Sequence, residues 1–188
     1  MIGALDSKWE DSRDFWFNFF CEQLTENELT PEILIAIAGS VKPATQKFGR
    51  DLLLKYFREE NGTEYLLKLS EHSSANMQLF ATNYLENYAA GSPEKLEKLA
   101  PYFVRMLSLV NRSRQAKNRT LRFLETEALK TEDSAKIAAD ILARHSATVA
   151  VGDRAKTIEM MLKIRRKYPN ISLPIKIKLA EVREGNAV

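Results

Sequence analysis

The chain has 188 residues, 45% of them hydrophobic, enough to bury the core of one domain or of one continuous stack of helices. Seven glycines and six prolines are too few for a many-turned β-sandwich, and the single cysteine, Cys21, excludes an internal disulfide and points to a reducing compartment. Net charge is +3, but residues 1–100 hold 10 Lys/Arg against 16 Asp/Glu (net −6) and residues 101–188 hold 18 against 9 (net +9). An asymmetry of this kind marks a nucleic-acid or acidic-partner surface, or is drift in surface charge along an extended molecule.

Helix signals then recur in chain order. The start, MIGALDSKW, has no basic region followed by an apolar run, so no signal peptide is read there, and it resembles text from inside a longer protein. Ser7-Lys-Trp-Glu10 has the spacing of a capping box and predicts a helix over 7–24. Thr30-Pro31 and Ser92-Pro93 each place a cap before a proline at the first helical position, where no N–H bond is lost. They open helices over 30–40 and 93–109. Gly62 and Gly91 sit where helices should stop, which leaves helices over 43–59, 63–71 and 75–89. Amphipathic runs follow over 113–129, 132–146 and 153–168, the last with Asp153 as a natural N-cap. The stretch ISLPIKIKL alternates apolar and basic residues and suits an extended segment, with Pro174 tolerable at an edge. The expectation is one all-α domain over 1–170 and an extended or irregular tail over 171–188. No apolar run approaches the roughly 18 residues of a membrane span, so a cytoplasmic protein with no membrane partner is expected.

The helices also resemble one another. In DSRDFWFNFF (11–20), TQKFGRDLLLKYF (45–57) and NMQLFATNYLENY (76–88), aligning Phe15, Phe48 and Phe80 puts Arg13, Gln46 and Gln78 two residues upstream. Phe19, Leu52 and Tyr84 fall four residues downstream, followed by Phe20, Leu53 and Leu85. The later helices continue more loosely, with Phe123-Leu124 and Met161-Leu162 in the downstream places. A helical hairpin cannot cover its own apolar face, and stacking hairpins buries a shared core. On these residues the chain resembles the HEAT-like (armadillo-type) family of α-helical repeats over nearly its whole length. The family's Asp-x-Arg ladder is met only by Asp11-Ser12-Arg13. The resemblance implies a right-handed superhelical stack of antiparallel helix pairs, a scaffold that binds proteins and, in a minority of the family, DNA or RNA. It also implies that second helices line the concave surface. A plain helical bundle is the alternative architecture.

Two surfaces stand out. The first helix carries Trp9, Phe15, Trp16, Phe17, Phe19, Phe20 and Cys21, which wrap most of its circumference, so it expects neighbours on several sides. Trp9, Trp16 and Phe17 are therefore candidates for packing on another domain or subunit, or in a bundle centre. Cys21 is expected to pack among the aromatics. The second surface is VNRSRQAKNRTLRF (110–123), with five Lys/Arg and no acid. Arg114, Arg119 and Arg122 gather on one side of that helix, and Lys156, Lys163 and Lys167 align on the polar face of the helix over 153–168. Two adjacent basic stripes are the footprint of phosphate binding, or of an acidic protein partner.

Catalytic candidates are few. His72 and His145 lie far apart, neither with a ligand at i+3 or i+4, and His145 sits near a helix end, where a cation suits the dipole. There is no Cys/His metal cluster, Gly-rich phosphate loop or Gly-x-Ser-x-Gly. Alkylpurine DNA glycosylases of HEAT-like fold combine aromatics and a carboxylate in a basic groove, but no catalytic motif of theirs can be matched here residue by residue. The reading is a non-catalytic interaction scaffold without cofactor or metal, its partner a protein or neighbouring domain, with a DNA- or RNA-binding repeat protein as the alternative.

Overall fold

The computed structural model describes residues 2–109, 113–148 and 151–173. These are all-α: α1 (Ile2–Leu5), α2 (Glu10–Glu22), α3 (Pro31–Ala38), α4 (Pro43–Tyr56), α5 (Gly62–Glu71), α6 (Ala75–Ala89), α7 (Pro93–Lys98), α8 (Ala100–Ser108), α9 (Arg114–Ala128), α10 (Glu132–Ser146) and α11 (Val151–Lys167). No strand occurs among the described residues. Residues 168–173 are non-helical, with Ile171 buried, and the remaining tail, 174–188, lies outside the described residues.

Several local signals act differently from the sequence reading. The helix expected over 7–24 starts only at Glu10, because Ser7 Oγ accepts from Trp9 N (3.2 Å) in a turn and Trp9 becomes the N-cap of α2, and the short α1 precedes that turn. The stretch over 93–109 breaks at Leu99, and Pro101 falls in the first turn of α8, where its missing N–H costs no helical bond. Ser92 does cap α7, accepting from Lys95 N. Gly62 opens α5 rather than closing α4, and it packs so closely that a Cβ there would lie 2.4 Å from the Tyr88 ring. Gly91 takes φ +74° just past α6, the left-handed turn that favours glycine.

The helices fall into two rows. One row runs α3, α5, α8, α10, each packed on the next. The other runs α2, α4, α6, α9, α11, and its repeat is visible atom by atom. Phe20, Leu53, Leu85, Leu124 and Met161 occupy equivalent places, each 2% exposed or less. Burying one such side chain stabilises by about 1.5–3 kcal/mol. The buried pair in α11 is Met160-Met161, one residue earlier than the Met161-Leu162 expected from spacing. Seven residues before each anchor stands a clamp onto the incoming loop. Arg13 donates to Ser7 O (3.3 Å), Gln46 to Ser40 O (3.4 Å), Gln78 to His72 O (2.8 Å) and Arg154 to Thr148 O (3.2 Å), always six residues back. The equivalent residue in α9 is Lys117, whose incoming loop falls outside the described residues.

Five positions before the anchor, α4, α6 and α9 each meet the preceding helix, while Lys156 of α11 stands exposed. Phe48 stacks on Phe17 (4.3 Å between centroids), Phe80 lies under Arg50 (5.4 Å), and Arg119 reaches Thr82 Oγ1 (3.5 Å). Ion pairs between successive units share one polarity, acid first and base later: Glu26–Arg58 (2.8 Å), Glu32–Lys68 (2.7 Å), Glu59–Lys95, Glu71–Arg105 (3.8 Å) and Glu125–Lys163 (2.9 Å). Exposed pairs of this kind add little stability each, and their contribution is to register. Only Glu71–Arg105 joins the two halves, so these pairs leave the charge asymmetry between them almost untouched. Lys117–Asp153 (3.8 Å) runs the other way.

That reversed pair belongs to a buried polar cluster. Lys117 is 7% exposed and His145 3%, and neither ring nitrogen of His145 meets a hydrogen-bond partner. The sequence placed a cation at His145; the structure instead sinks the ring, and burial pushes its pKa below the ordinary value, with Asp153 opposing and Lys117 adding to the shift. An unfolded imidazole takes its proton near pH 6.5 and the folded one resists it. Stability is therefore full above about pH 6.5 and falls as the pH drops through it. Urea unfolding at pH 7.5 and 5 is expected to show this loss, and His145→Met to remove part of it. His72, half-buried and shifted the same way by burial, retains the rest. A His145→Met protein with the full wild-type slope would contradict the assignment.

Candidate interaction surface

The α6 and α9 side chains leave an open groove between them of about 420 Å³. Phe123 supplies apolar wall, Thr82, Asn83 and Thr126 supply polar groups, and Arg119 and Arg122 supply charge. A second groove of about 410 Å³, toward α4, is lined by Gln46, Arg50, Asn76 and Phe80. Asn83 and Arg119 line both, so the two grooves adjoin at this bonded pair and together make a furrow across three helices. Arg119 is fixed by donating Nη1 to Asn83 Oδ1 (3.0 Å). Arg50 lies over the Phe80 ring with its Nε unpartnered.

The acids near the furrow are partly committed. Glu127 is 1% exposed and accepts from Gly91 N (2.7 Å) and Lys130 Nζ (2.6 Å). Glu86 lines the furrow without an ion pair among the described residues. Arg114 stands exposed in the first turn of α9, a turn with no acid, so its charge adds to the positive end of the helix dipole.

The six basic residues singled out from the sequence separate into three groups. Arg114, Arg122 and Lys156 are exposed and have no ion pair or hydrogen bond among the described residues. Arg119 is exposed but held by α6. Lys163 and Lys167 are occupied within the chain: Lys163 bonds Glu125 and Glu159 (both 2.9 Å), which raises its pKa, and Lys167 Nζ donates to Leu129 O. Sequence reading missed Lys117 and Glu127, and it named His145 only as a helix-end cation rather than a buried ring. Lys117 could have been found, because it stands seven residues before Leu124, the place held by Gln46 and Gln78.

At the other end of the row, Trp9 is 78% and Phe15 61% exposed. Trp16 is half-buried, touching Phe15 edge-on, and Phe17 turns inward onto Phe48. Cys21, expected to pack, is exposed on α2. Arg13 is engaged with the carbonyls of Ser7 and Lys8 and does not stand free between the two tryptophans.

Among the described residues, no group of His, Cys, Asp and Glu could hold a metal ion, and no helix is long and apolar enough to cross a membrane. No protein-family model, curated protein or solved structure matches the chain.

Proposed function

We propose that this chain is a non-catalytic helical-repeat scaffold, a HEAT-like superhelical stack whose furrow across α4, α6 and α9 holds an acidic segment of a protein partner. The observation that carries the reading is the furrow itself: amides and hydroxyls from three successive helices line it, with Arg122 in one groove, Arg50 in the other and Arg119 where they adjoin. Asn76 and the uncommitted ends of the Gln46 and Asn83 amides can bond a peptide backbone in any sequence, while the guanidiniums select acidic side chains. The recurring clamp and the acid-first ion pairs support the repeat architecture, since a bundle has no reason to reuse one contact at one spacing.

Nucleic-acid binding by the same residues is the second reading, favoured by the unpaired Arg114, Arg122 and Lys156. It is weakened by Lys163 and Lys167, which spend their donors inside the chain. Fluorescence anisotropy separates the two. A labelled glutamate-rich peptide is expected to bind in the micromolar range and to lose about tenfold or more in affinity with Arg114→Glu and Arg122→Glu together. Duplex DNA, single-stranded DNA and RNA are expected to bind more weakly than the peptide at physiological salt. Tighter nucleic-acid binding, with a salt slope that falls by about one unit per cation removed, would move the second reading to first place. No binding of either class at low salt would remove both.

A further inference from the structure

The row α2, α4, α6, α9, α11 uses one contact repeatedly, and that contact is open at both ends. At three of the four joints the residue five places before the anchor meets the residue three places before the anchor on the preceding helix; at the α9–α11 joint Lys156 stands exposed instead. Phe48 on Phe17, Phe80 on Arg50 and Arg119 on Thr82 are three instances. In α2 the equivalent of Phe48 and Phe80 is Phe15, which is 61% exposed and meets no helix of the row other than its own among the described residues. In α11 the equivalent of Phe17, Arg50 and Thr82 is Ile158, an exposed aliphatic residue with no following helix among the described residues.

Both side chains point outward from the row. Phe17 faces α4, and Phe15, two residues earlier and so about 200° round the helix, faces away from it. Lys156 and Lys163 lie on one face of α11, and Lys163 bonds Glu125 of α9. Ile158, about 200° from Lys156, faces away from α9. The two end faces also differ in charge. Phe15 is flanked by exposed acids, Asp11 and Glu22, and Ile158 by exposed bases, Arg154 and Arg165.

We propose that a second copy of this chain stacks head to tail on the first, Phe15 of one copy seating on Ile158 of the next, so that the row continues from molecule to molecule. The occupant is a copy of the chain because the two faces are the complementary halves of a contact the chain already makes internally three times. Their charges are opposite, and no intramolecular arrangement brings together the two ends of one row. The contact is heterologous, so assembly grows by addition rather than stopping at a symmetric dimer, unless the rotation closes a ring. It stands apart from the furrow and holds whichever partner the furrow takes.

The test uses sedimentation velocity and light scattering on the full chain, from micromolar to sub-millimolar loading at low salt. Wild-type protein is expected to rise in average mass with concentration, and to fall back as salt screens the Asp11, Glu22, Arg154 and Arg165 charges. Phe15→Asp and Ile158→Asp, each at an exposed position and checked for an unchanged circular-dichroism melt, are each expected to weaken association by about tenfold or more. Mixed together they are expected to form one dimer and nothing larger, because one variant keeps a working tail and the other a working head. Should Ile158→Asp alter the melt, Arg165→Glu, which leaves the Arg154 clamp intact, replaces it. A wild-type chain that stays monomeric throughout overturns the proposal. So does Ile158→Asp protein that associates as well as wild type, which would mean a symmetric α2-to-α2 contact.

Discussion

Replacing Gly49 by alanine is expected to destabilise the protein by about 3 kcal/mol, or to lower its melting temperature by roughly 10 °C. Helix propensity alone predicts the opposite sign. Gly49 lies in the interior of α4, where alanine is the better helix former by about 1 kcal/mol. Packing decides the outcome. A Cβ at Gly49 would fall 2.2 Å from Ala38 N and 2.5 Å from Ala38 Cα, the backbone of α3's last residue, which cannot rotate aside as a side chain would. The two helices would have to move apart to admit it. Ile37 and Ala38, both fully buried, would lose contacts along with the glycine's own neighbours. Gly152 in α11 is the control: a Cβ added there would meet nothing within 4 Å, and Gly152→Ala is expected to be neutral or to stabilise by up to about 1 kcal/mol. Thermal unfolding of both variants decides the matter. A Gly49→Ala protein as stable as wild type would mean that α3 and α4 do not cross this closely.

Gly49 also shows why the sequence could be read so far and no further. It sits four residues before its anchor, and the equivalent residues in the next three helices of the row are Ala81, Thr120 and Thr157, all buried. The large apolar anchors announce themselves by spacing, and the helix starts by their prolines, so the all-α class and most helices were legible. A need for small size has no such signature, because Gly, Ala and Thr are common everywhere. The candidate surface was legible as composition only. Arg119, Arg122 and Lys163 read alike on a helical wheel, yet Arg122 is unpaired among the described residues while Lys163 is held by Glu125, 38 residues earlier. Which cations are consumed depends on the stacking register, and that register is set by contacts such as Phe17 on Phe48 rather than by any local pattern. The capping box at Ser7 failed for a related reason. Ser7 Oγ is taken by a tighter local turn to Trp9 N, an alternative always open to serine.

Glu127→Ala is expected to cost about 3 kcal/mol, although the residue carries a charge and lies in a helix rich in surface polar groups. The carboxylate is 1% exposed and joins two units of the row. Its Oε2 accepts from Gly91 N, in the turn where Gly91 takes φ +74°, and its Oε1 accepts from Lys130. Removing it leaves the Gly91 N–H without its acceptor and opens a void between α9 and the end of α6. The Lys130 side chain, 45% exposed, can turn to water, so the loss falls on the turn rather than on the lysine. Glu127→Gln keeps a carbonyl for Gly91 N but sets an amide against the ammonium, and about half the cost is expected. Lys130→Ala, which strips a partially hydrated donor and leaves the backbone bond intact, is expected to cost less than Glu127→Ala. Urea unfolding of the three variants orders these effects. A Lys130→Ala loss as large as that of Glu127→Ala would assign the stabilisation to the ion pair. The expected order assigns it to the backbone bond that fixes the turn between α6 and α7, and with it the placement of Asn83 and Thr82 opposite Arg119 in the furrow.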